Sequence, residues 1–260
     1  MSLLQDNINE LSCMKKYPSE LFFSGNKELL KKKKISIVGT RKPSKYTREF
    51  TQKLASSLSR HNICIVSGGA MGVDAMAHMG AGHENTIAVL PCGIDLKYPQ
   101  VNGTLLSGIE EKGLLLSQFG YGFKSRVWTF VKRNELVVAL GEVLVICEAD
   151  LKSGSMRSAE FALEMGKEIY VLPHRLEESL GTQQLLESNK AKVIHSVEHF
   201  LSIFTDVKDS QSLQINDSFI NFCSSNPSYD EARLMFSTRI DEAELNGEIE
   251  VIHGKVFLTK

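Results

Sequence analysis

Glycine and hydroxyl side chains stand where apolar, β-branched runs give way to helical patterns. The clearest case is ICIVSGGAMGVDAMAH, residues 63–78, in which an apolar run leads into Ser67, Gly68 and Gly69. Glycine lets backbone amides approach a ligand closely, and a helix N-terminus favours an anion. The stretch therefore predicts a phosphate-binding turn. It leaves open whether the phosphate belongs to a nucleotide cofactor, a small substrate or a nucleic-acid backbone.

Two further loops of this kind follow other apolar runs. Their residues are Gly39, Thr40, Arg41 and Lys42 in one loop, and Ser153, Gly154 and Ser155 in the other. Ligands bind at the carboxyl ends of parallel strands, so the three loops are expected to lie side by side. Hydroxyl groups and loop amides supply the short donors that phosphates need. The repetition predicts an extended anion-binding strip rather than a single pocket.

Nucleotide-cofactor motifs do not fit the sequence. Residues 68–72, GGAMG, depart from G-x-G-x-x-G, and the next apolar run ends in Leu90 and Pro91 without an acid to hold a ribose. The G-x-x-x-x-G-K-[ST] pattern of P-loop hydrolases is absent from the sequence. A tight turn without any ligand would explain one Gly-Gly pair, but not the repetition at several strand ends. We therefore expect no cofactor.

Metal and thiol chemistry are also disfavoured. Asp74 and His78 are one helical turn apart, but no third ligand stands at motif distance, so a hydrogen bond within the helix or to a loop is favoured over a metal site. Cys92 and Cys147 lie near strand ends without an adjacent histidine or a cationic setting that would activate a thiolate. We expect both cysteines to be small buried apolar residues.

Cations and aromatic residues alternate in SRVWTFVKRNELVVAL, residues 125–140. Arg126, Lys132 and Arg133 stand beside Trp128 and Phe130 at the start of an amphipathic helical pattern. Bases stack on aromatic rings while Lys and Arg hold phosphates, so the pattern suits a single-stranded nucleic acid. The alternative is that the apolar residues anchor the helix in the core and the charges form a solvated face.

Short apolar runs alternate with amphipathic segments through the middle of the chain. The runs are residues 35–38, 63–66, 86–90, 114–117, 143–147 and 169–173. The amphipathic segments are residues 46–60, 72–82, 102–112, 130–140 and 155–166. Fully apolar runs are typical of strands buried on both faces, and crossovers of this length connect parallel strands. The predicted fold class is α/β, an extended Rossmann-like parallel sheet with helices on both faces.

Four regions are predicted along the 260 residues. They are a helical N-terminal segment at residues 1–30 that packs on the sheet, a Rossmann-like domain at 31–206, a polar linker at 207–216 and a small domain at 217–260. The small domain has two helical patterns, residues 217–224 and 228–246, and then two alternating strands around a His253-Gly254 turn. Helices followed by a hairpin are typical of a winged-helix-like domain.

The overall composition favours an intracellular protein. The longest apolar region, residues 136–147, is interrupted by Gly141 and Glu142 and is too short to span a bilayer. The N-terminus lacks the zones of a signal peptide. Five cysteines without a C-x-x-C pair argue against a disulfide framework. We expect a cytoplasmic protein with no membrane partner.

Five stretches of the sequence resemble the DNA-processing protein A (DprA/Smf) family, in order and at the family's spacing, from about residue 17 to 195. The stretches are ISIVGTRKPSKYT, IVSGGAMGVDAMAH, TIAVLPCGIDLKYPQVN, FVKRNELVVAL and VICEADLKSGSMRSAEFALEMGKEIYVLP. The resemblance implies an extended Rossmann fold without catalytic activity. It further implies a homodimer that binds and protects single-stranded DNA in natural transformation and promotes RecA loading in recombination.

The resemblance also implies which residues bind DNA. They are Gly39, Thr40, Arg41, Ser67, Gly68, Gly69, Phe130, Arg133, Asn134, Ser153, Gly154 and Ser155. The pattern of cations adds Lys42, Arg126 and Lys132 as expected DNA-binding residues. Glu135 stands where the family has a second arginine, which is expected to remove one cation from the strip. The family suggests residues 176–200 for contacts between subunits or with RecA. The apolar candidates there are Leu180, Leu185, Leu186, Val193 and Ile194.

Charge divides the chain into two parts with different expected partners. Residues 31–206 hold 22 Lys and Arg against 18 Asp and Glu, whereas residues 215–260 hold 4 against 8. A winged helix that docks on duplex DNA carries a basic face, and the acidic C-terminal region does not. We expect that region to bind a protein or to self-associate.

An enzymatic alternative is a nucleoside-monophosphate phosphoribohydrolase of the LOG type. The stretches SGGAMG and SGSMRSAEFA of this chain weakly resemble the phosphate loop of those enzymes. That reaction needs a carboxylate beside the sugar to stabilise an oxocarbenium-like state. Glu160 is the candidate in the equivalent loop, although Ser153-Gly154-Ser155 lacks the paired glycines of those enzymes.

Overall fold

The computed structural model describes residues 2–205, 218–245 and 247–259. The chain divides into two compact units, Met1–Thr205 and Asp206–Lys260. The predicted linker at residues 207–216 lies outside the described residues.

A single sheet runs through the first unit. Its strands are β1 (Ser2–Leu3), β2 (Phe22–Gly25), β3 (Lys34–Val38), β4 (Cys64–Ser67), β5 (Thr86–Leu90), β6 (Leu114–Ser117), β7 (Leu144–Ile146), β8 (Ile169–Val171) and β9 (Lys192–Val193). Their order across the sheet is β1-β2-β6-β5-β4-β3-β7-β8-β9. Every pairing from β6 to β9 is parallel, and β1 and β2 are antiparallel additions at one edge.

Helices cover both faces of the sheet, which confirms the predicted fold class. In the first unit they are α1 (Lys45–Arg60), α2 (Val73–Ala81), α3 (Gly103–Lys112), α4 (Val127–Leu140), α5 (Gly154–Glu164), α6 (Leu180–Glu187) and α7 (Val197–Phe204). One core contains Leu58 of α1 and Phe200 of α7, and the other contains Leu136 of α4 and Ala159 of α5. The strands feed both cores and are therefore apolar along their whole length.

The strand order reverses between β3 and β7. From β3 the chain moves outward through β4, β5 and β6, and it then returns to place β7 on the other side of β3. The helices that follow β3 and β7 lie on opposite faces of the sheet, so the two loops diverge at its carboxyl edge. A crevice at this point is the usual ligand position in open parallel sheets.

The N-terminal segment differs from the predicted helical segment. Its β1 and β2 extend the sheet, with Phe22 of β2 opposite Ser117 of β6. Its helical turns are two short 3₁₀ helices, Asn9–Cys13 and Lys27–Lys31. An uncovered β6 would expose a row of unpaired backbone groups, and the added strands satisfy them. Both strands are exposed or half-buried, so they lack the fully apolar runs that mark the interior strands.

The chain beyond β8 contains elements that the sequence pattern did not predict. They are α6, the two-residue β9 and α7, whose Phe200 and Phe204 pack with Tyr170. No helix in the described part of the chain is both long enough and apolar enough to cross a membrane.

The second unit contains α8 (Ser218–Cys223), α9 (Tyr229–Phe236), α10 (Thr238–Leu245), β10 (Ile249–Ile252) and β11 (Lys255–Leu258). The second predicted helix is divided, because Ser237 has a φ of 45° and ends α9. The predicted hairpin is present, and its turn residues His253 and Gly254 have φ values of 51° and 73°. Positive φ at both turn residues matches the right-handed twist of the paired strands.

A buried histidine predicts how the stability of the first unit depends on pH. His78 is fully buried on α2, its Nδ1 lies 2.7 Å from the Thr86 hydroxyl, and burial lowers its pKa to about 3. Thr86 donates its own proton to the Ile65 carbonyl, so His78 donates through Nδ1 and remains neutral. An unfolded histidine titrates near pH 6.5. As the pH falls below that value, the unfolded state gains a proton that the folded state does not bind.

The free energy of unfolding should therefore fall progressively as the pH drops from about 7 toward 3, the interval set by the unfolded and folded pKa values of His78. In a His78→Gln variant this slope should be shallower. Urea denaturation followed by the fluorescence of Trp128, the single tryptophan, measures it within the first unit. A His195→Gln variant, altered at an exposed histidine, should keep the wild-type slope. Equal slopes in the wild type and the His78 variant would contradict the assignment.

Candidate nucleic-acid interface

A cleft of about 470 Å³ opens where the strand order reverses. It brings together most of the loops in which the sequence predicts anion binding. Its predicted residues are Gly39, Thr40, Arg41, Lys42, Gly68, Arg133, Asn134, Ser153, Gly154 and Ser155. Ser67, Gly69, Arg126, Phe130 and Lys132 are not among the residues that line it. The predicted strip is thus centred on the β3 and β7 loops, with the glycine turn after β4 at its side.

The loop after β3 supplies the two exposed cations of the cleft, Arg41 and Lys42. The loop is held at its base, since Thr40 donates its amide to the Glu148 carbonyl at 2.8 Å and accepts the Val73 amide on its own carbonyl at 3.1 Å. Gly39 is required here, because a Cβ would lie 2.6 Å from Val73 Cγ2. The backbone is therefore fixed while both cationic side chains face solvent.

The turn after β4 binds an anion that belongs to the protein itself. The Ala70 amide donates to Asp74 Oδ2 at 3.3 Å, and a Cβ on Gly68 would lie 2.8 Å from the same oxygen. The Ser67 hydroxyl is buried and donates to the Ile37 carbonyl at 2.6 Å. The glycine turn that predicted a phosphate therefore surrounds the Asp74 carboxylate in this structure.

Arg133 of α4 neutralises that carboxylate. Its side chain is 6% exposed, its Nη1 lies 3.6 Å from Asp74 Oδ2, and the same nitrogen donates to the Gly68 carbonyl. Gly68 is required because a Cβ would overlap the guanidinium. Burial raises the pKa of Asp74, and Arg133 and the turn amides oppose that rise. The charge of Arg133 is thus largely balanced by Asp74 inside the protein.

The start of α5 forms the opposite wall of the cleft. The Ser153 hydroxyl caps the helix by accepting the Met156 amide at 3.3 Å, and Asn134 of α4 donates to the Gly154 carbonyl at 3.2 Å. The first amides of a helix have no intrahelical acceptor. Those of Gly154 and Ser155 stand at the positive end of the α5 dipole, where an anion is favoured.

The exposed side of α4 carries two pairs of a cation with an aromatic ring. Arg41 lies 5.7 Å from the centre of the Phe130 ring, which also meets Tyr98 edge-on at 5.9 Å. Lys132 lies 5.5 Å from the Trp128 ring, which is 46% exposed. Arg126 is exposed just before the helix. The predicted surface therefore continues beyond the cleft along α4, through three further predicted side chains, Phe130, Lys132 and Arg126.

Glu135 is half-buried and is not among the residues that line the cleft. Burial and Glu164 raise its pKa, while Lys132 and Lys15 oppose the rise.

Two acids of the cleft were not among the predicted site residues. Glu148 and Asp150 follow β7 and line the cleft opposite Arg41 and Lys42. Glu148 Oε2 accepts the Ser44 amide at 3.0 Å, which holds the start of α1. The sequence signal for these two acids was their position at a strand end beside a predicted anion site. The cleft consequently contains both positively and negatively charged side chains.

Other candidate residues lie outside the cleft. Glu160 pairs with Arg157 on the exposed side of α5 and does not line the cleft, so the enzymatic alternative lacks its carboxylate there. Cys92 and Cys147 are fully buried, and burial raises the pKa of both thiols. No group of three or more metal-ligating side chains is found among the described residues.

Comparison with known proteins identifies the family of the chain. The family model "DNA recombination-mediator protein A" matches residues 5–205. The chain belongs to this family. It is 34% identical over 191 residues to DNA processing protein DprA of Streptococcus pneumoniae, with 72% of this chain and 67% of that protein aligned. It is also 34% identical to DprA of Bacillus subtilis, over 70% of this chain and 62% of that protein.

Two solved structures of the family share the fold. The structure of DNA processing protein A from Helicobacter pylori, described for its single-stranded DNA binding mode, has a TM-score of 0.77 and 39% identity, covering 78% of this chain and 94% of that one. DprA from Streptococcus pneumoniae has a TM-score of 0.71 and 33% identity, covering 75% of this chain and 70% of that one. The resemblance seen in the sequence motifs is thereby confirmed.

The buried ion pair yields a stability prediction for this family member. An Arg133→Met substitution would leave Asp74 buried without its partner, and breaking a buried pair in this way costs about 3–5 kcal/mol. Arg157→Met is the matched control, because it breaks an exposed ion pair with Glu160, worth at most about 1 kcal/mol. Urea denaturation followed by Trp128 fluorescence compares them. Equal losses would show that the buried pair does not stabilise the fold.

Proposed function

We propose that the protein binds single-stranded DNA along the carboxyl edge of its sheet, without catalysis. It protects incoming strands and promotes RecA loading in natural transformation and recombination. The observation that carries the DNA-binding part is the arrangement at the cleft. Two exposed cations, Arg41 and Lys42, adjoin the open amides of α5 and the aromatic rings of α4. The family and its DNA-binding member from Helicobacter pylori support the same conclusion.

Phosphates would be bound by the outer part of the cleft. Arg41 and Lys42 supply charge, and the amides of Gly154 and Ser155 supply short donors on the facing wall. Ser67, Gly68 and Gly69 act from beneath, together with Arg133, by holding the turn that supports this surface. These contacts reach the backbone and not the base edges, so they position a strand without reading its sequence.

Bases would stack on α4. Phe130, Trp128 and their partner cations present ring faces next to the phosphate-binding wall, with Lys132 and Arg126 at the outer end. Rings can stack only on bases that are not already stacked and paired in a duplex. The surface therefore favours single strands over duplex DNA.

The acids of the cleft limit how tightly a strand is held. Glu148 and Asp150 face the same space as Arg41 and Lys42 and would repel phosphates that move deeper into the cleft. A strand held at the outer wall can be released to a second protein more readily than one enclosed by cations. This is compatible with a protein that transfers DNA to RecA.

The contacts for homodimer formation and RecA binding are proposed to lie within residues 176–200. Of the apolar candidates at residues 176–200, Leu185 and Ile194 are buried in the cores of the first unit and cannot supply a contact surface. Leu180 is exposed and remains available, and Leu186 and Val193 are partly buried. A contact in this region would thus be centred on the exposed side of α6.

The cleft predicts a salt-dependent preference for single strands. Fluorescence anisotropy with labelled oligo-dT of about 20 nucleotides should show binding that weakens as salt rises. Arg41→Ala should lower the affinity and reduce the slope of log K against log salt by about 0.7, the value for one phosphate contact on a single strand. Arg60→Ala removes an exposed arginine at the far end of α1 and should change neither quantity. Competition by equimolar duplex, or absence of binding at low salt, would refute the proposal.

The acidic second unit is proposed to bind a protein and not DNA. The helix order and hairpin of this unit support a winged-helix-like domain, in which β11 is bridged to Ser228 just before α9. Its exposed α9 residues Leu234 and Met235 are apolar, which favours a protein partner.

A chain ending at Thr205 retains the whole first unit and should bind oligo-dT and duplex DNA as the full chain does. The same anisotropy titrations compare the two chains. A marked loss of duplex affinity on truncation would show that the second unit binds DNA after all.

A further inference from the structure

A second pocket adjoins the cleft at the next strand of the sheet. This pocket, which we call the Tyr46 pocket, has a volume of about 520 Å³. It is lined by Ser44, Tyr46, Pro173, His174, Arg175 and Glu178. β8 neighbours β7, and the chain leaves β8 to form Pro173, His174 and Arg175. The pocket therefore lies on the same carboxyl edge as the cleft, on the side opposite to α4's aromatic rings.

The wall between the cleft and the Tyr46 pocket is thin. Ser44 lines the pocket, and its amide donates to Glu148 Oε2, a cleft residue, at 3.0 Å. His174 Nε2 lies 2.7 Å from the Cys147 carbonyl, directly before Glu148. A carbonyl can only accept, so Nε2 carries the proton and the ring is held in place. The Tyr46 pocket and the cleft are therefore neighbours along the carboxyl edge, with Ser44 and Glu148 between them.

Aromatic side chains lie in and beside the pocket. The half-buried Tyr46 lines it, and its ring meets His174 edge-on, with ring centres 5.7 Å apart. Phe50, one turn along α1, does not line the pocket, but its ring lies 4.7 Å from that of Tyr46 and the residue is 37% exposed. The two rings offer stacking surface for an unpaired base at and beside the pocket.

Arg175 supplies the charge. Its backbone is fixed on both sides, because its amide donates to Glu178 Oε2 at 3.4 Å and its carbonyl accepts the Gln183 side chain at 2.6 Å. Its guanidinium forms no ion pair with any residue that the structure describes. Glu178 is the one acid that lines the pocket. A cation on a rigid backbone beside exposed rings suits a phosphate with an attached base.

We propose that the Tyr46 pocket is a further nucleotide subsite for the same single strand, with a base against Tyr46 and Phe50 and a phosphate on Arg175. This rests on the proposed function, and it extends the DNA path across the edge of the sheet from Trp128 on α4 to Arg175 after β8. The path is then longer than the cleft itself. Short oligonucleotides fill the cleft alone, whereas longer ones also occupy the pocket.

The test compares two lengths of oligo-dT, about 6 and about 20 nucleotides, by fluorescence anisotropy over a salt series. Arg175→Ala should weaken binding of the longer strand about 5-fold or more and reduce its salt slope by about 0.7, with little effect on the shorter strand. Phe50→Leu should weaken the longer strand without changing the slope, since it removes a ring and no charge. Glu178→Gln should tighten the longer strand, because it removes a negative charge beside the phosphate.

Arg60→Ala serves as the control for loss of an exposed arginine, at the opposite end of α1 from Tyr46. Urea denaturation checks that each variant is folded. If the wild-type protein binds neither length, the proposed function fails and the subsite with it. If the wild type binds both lengths and Arg175→Ala, Phe50→Leu and Glu178→Gln behave as wild type, the cleft is the DNA site and the subsite alone is refuted. If thymidine monophosphate binds the wild type without competing with either oligonucleotide, and Arg175→Ala is the substitution that weakens this binding, the pocket holds a free nucleotide and not the strand.

Discussion

The contact between Arg133 and Asp74 is the constraint on which the candidate site depends. Arg133 belongs to α4 on one face of the sheet, and Asp74 belongs to α2, whose core lies on the other face. Their ion pair therefore joins the two helical layers over the carboxyl edge, and the Gly68 carbonyl completes it. An uncompensated charge at this depth would be costly, so each partner requires the other. The turn after β4, the start of α2 and the position of α4 are fixed together.

This contact changes the meaning of the glycine turn. Ser67, Gly68 and Gly69 have the residue types expected of a phosphate-binding turn, but Gly68 is needed for the approach of the guanidinium, and the Ala70 amide of the same turn donates to Asp74. The turn thus uses the chemistry of anion binding to hold an internal carboxylate. Under the proposed function, external phosphates would bind at the neighbouring walls, where Arg41, Lys42 and the first turn of α5 lie.

The parallel sheet and most of its helices could be predicted because each carries a strong local signal. Runs such as Thr86–Leu90 are apolar on both sides, and the observed strand has the predicted bounds. The Asp74 and Arg133 pair could not be predicted, since the two residues are 59 positions apart in the sequence and each has an ordinary local role on its own helix. The edge strands β1, β2 and β9 were missed because they are partly exposed and lack the fully apolar runs of the interior strands. The positions of loops at one edge follow from topology, whereas the direction of each side chain depends on packing.

Mixed charge follows from how such a cleft is built. The crevice at the point of strand reversal needs its diverging loops to be tied together, and here Glu148 performs that task by accepting the Thr40 amide on its carbonyl and the Ser44 amide on its carboxylate. An acid that organises a cation-bearing loop also weakens the local field that would retain phosphates. Under the proposed function, affinity for a strand would then come from many weak contacts spread along the edge and not from one deep site. A surface of that kind would hold a long single strand more tightly than a short one, and a competing protein could displace it one contact at a time.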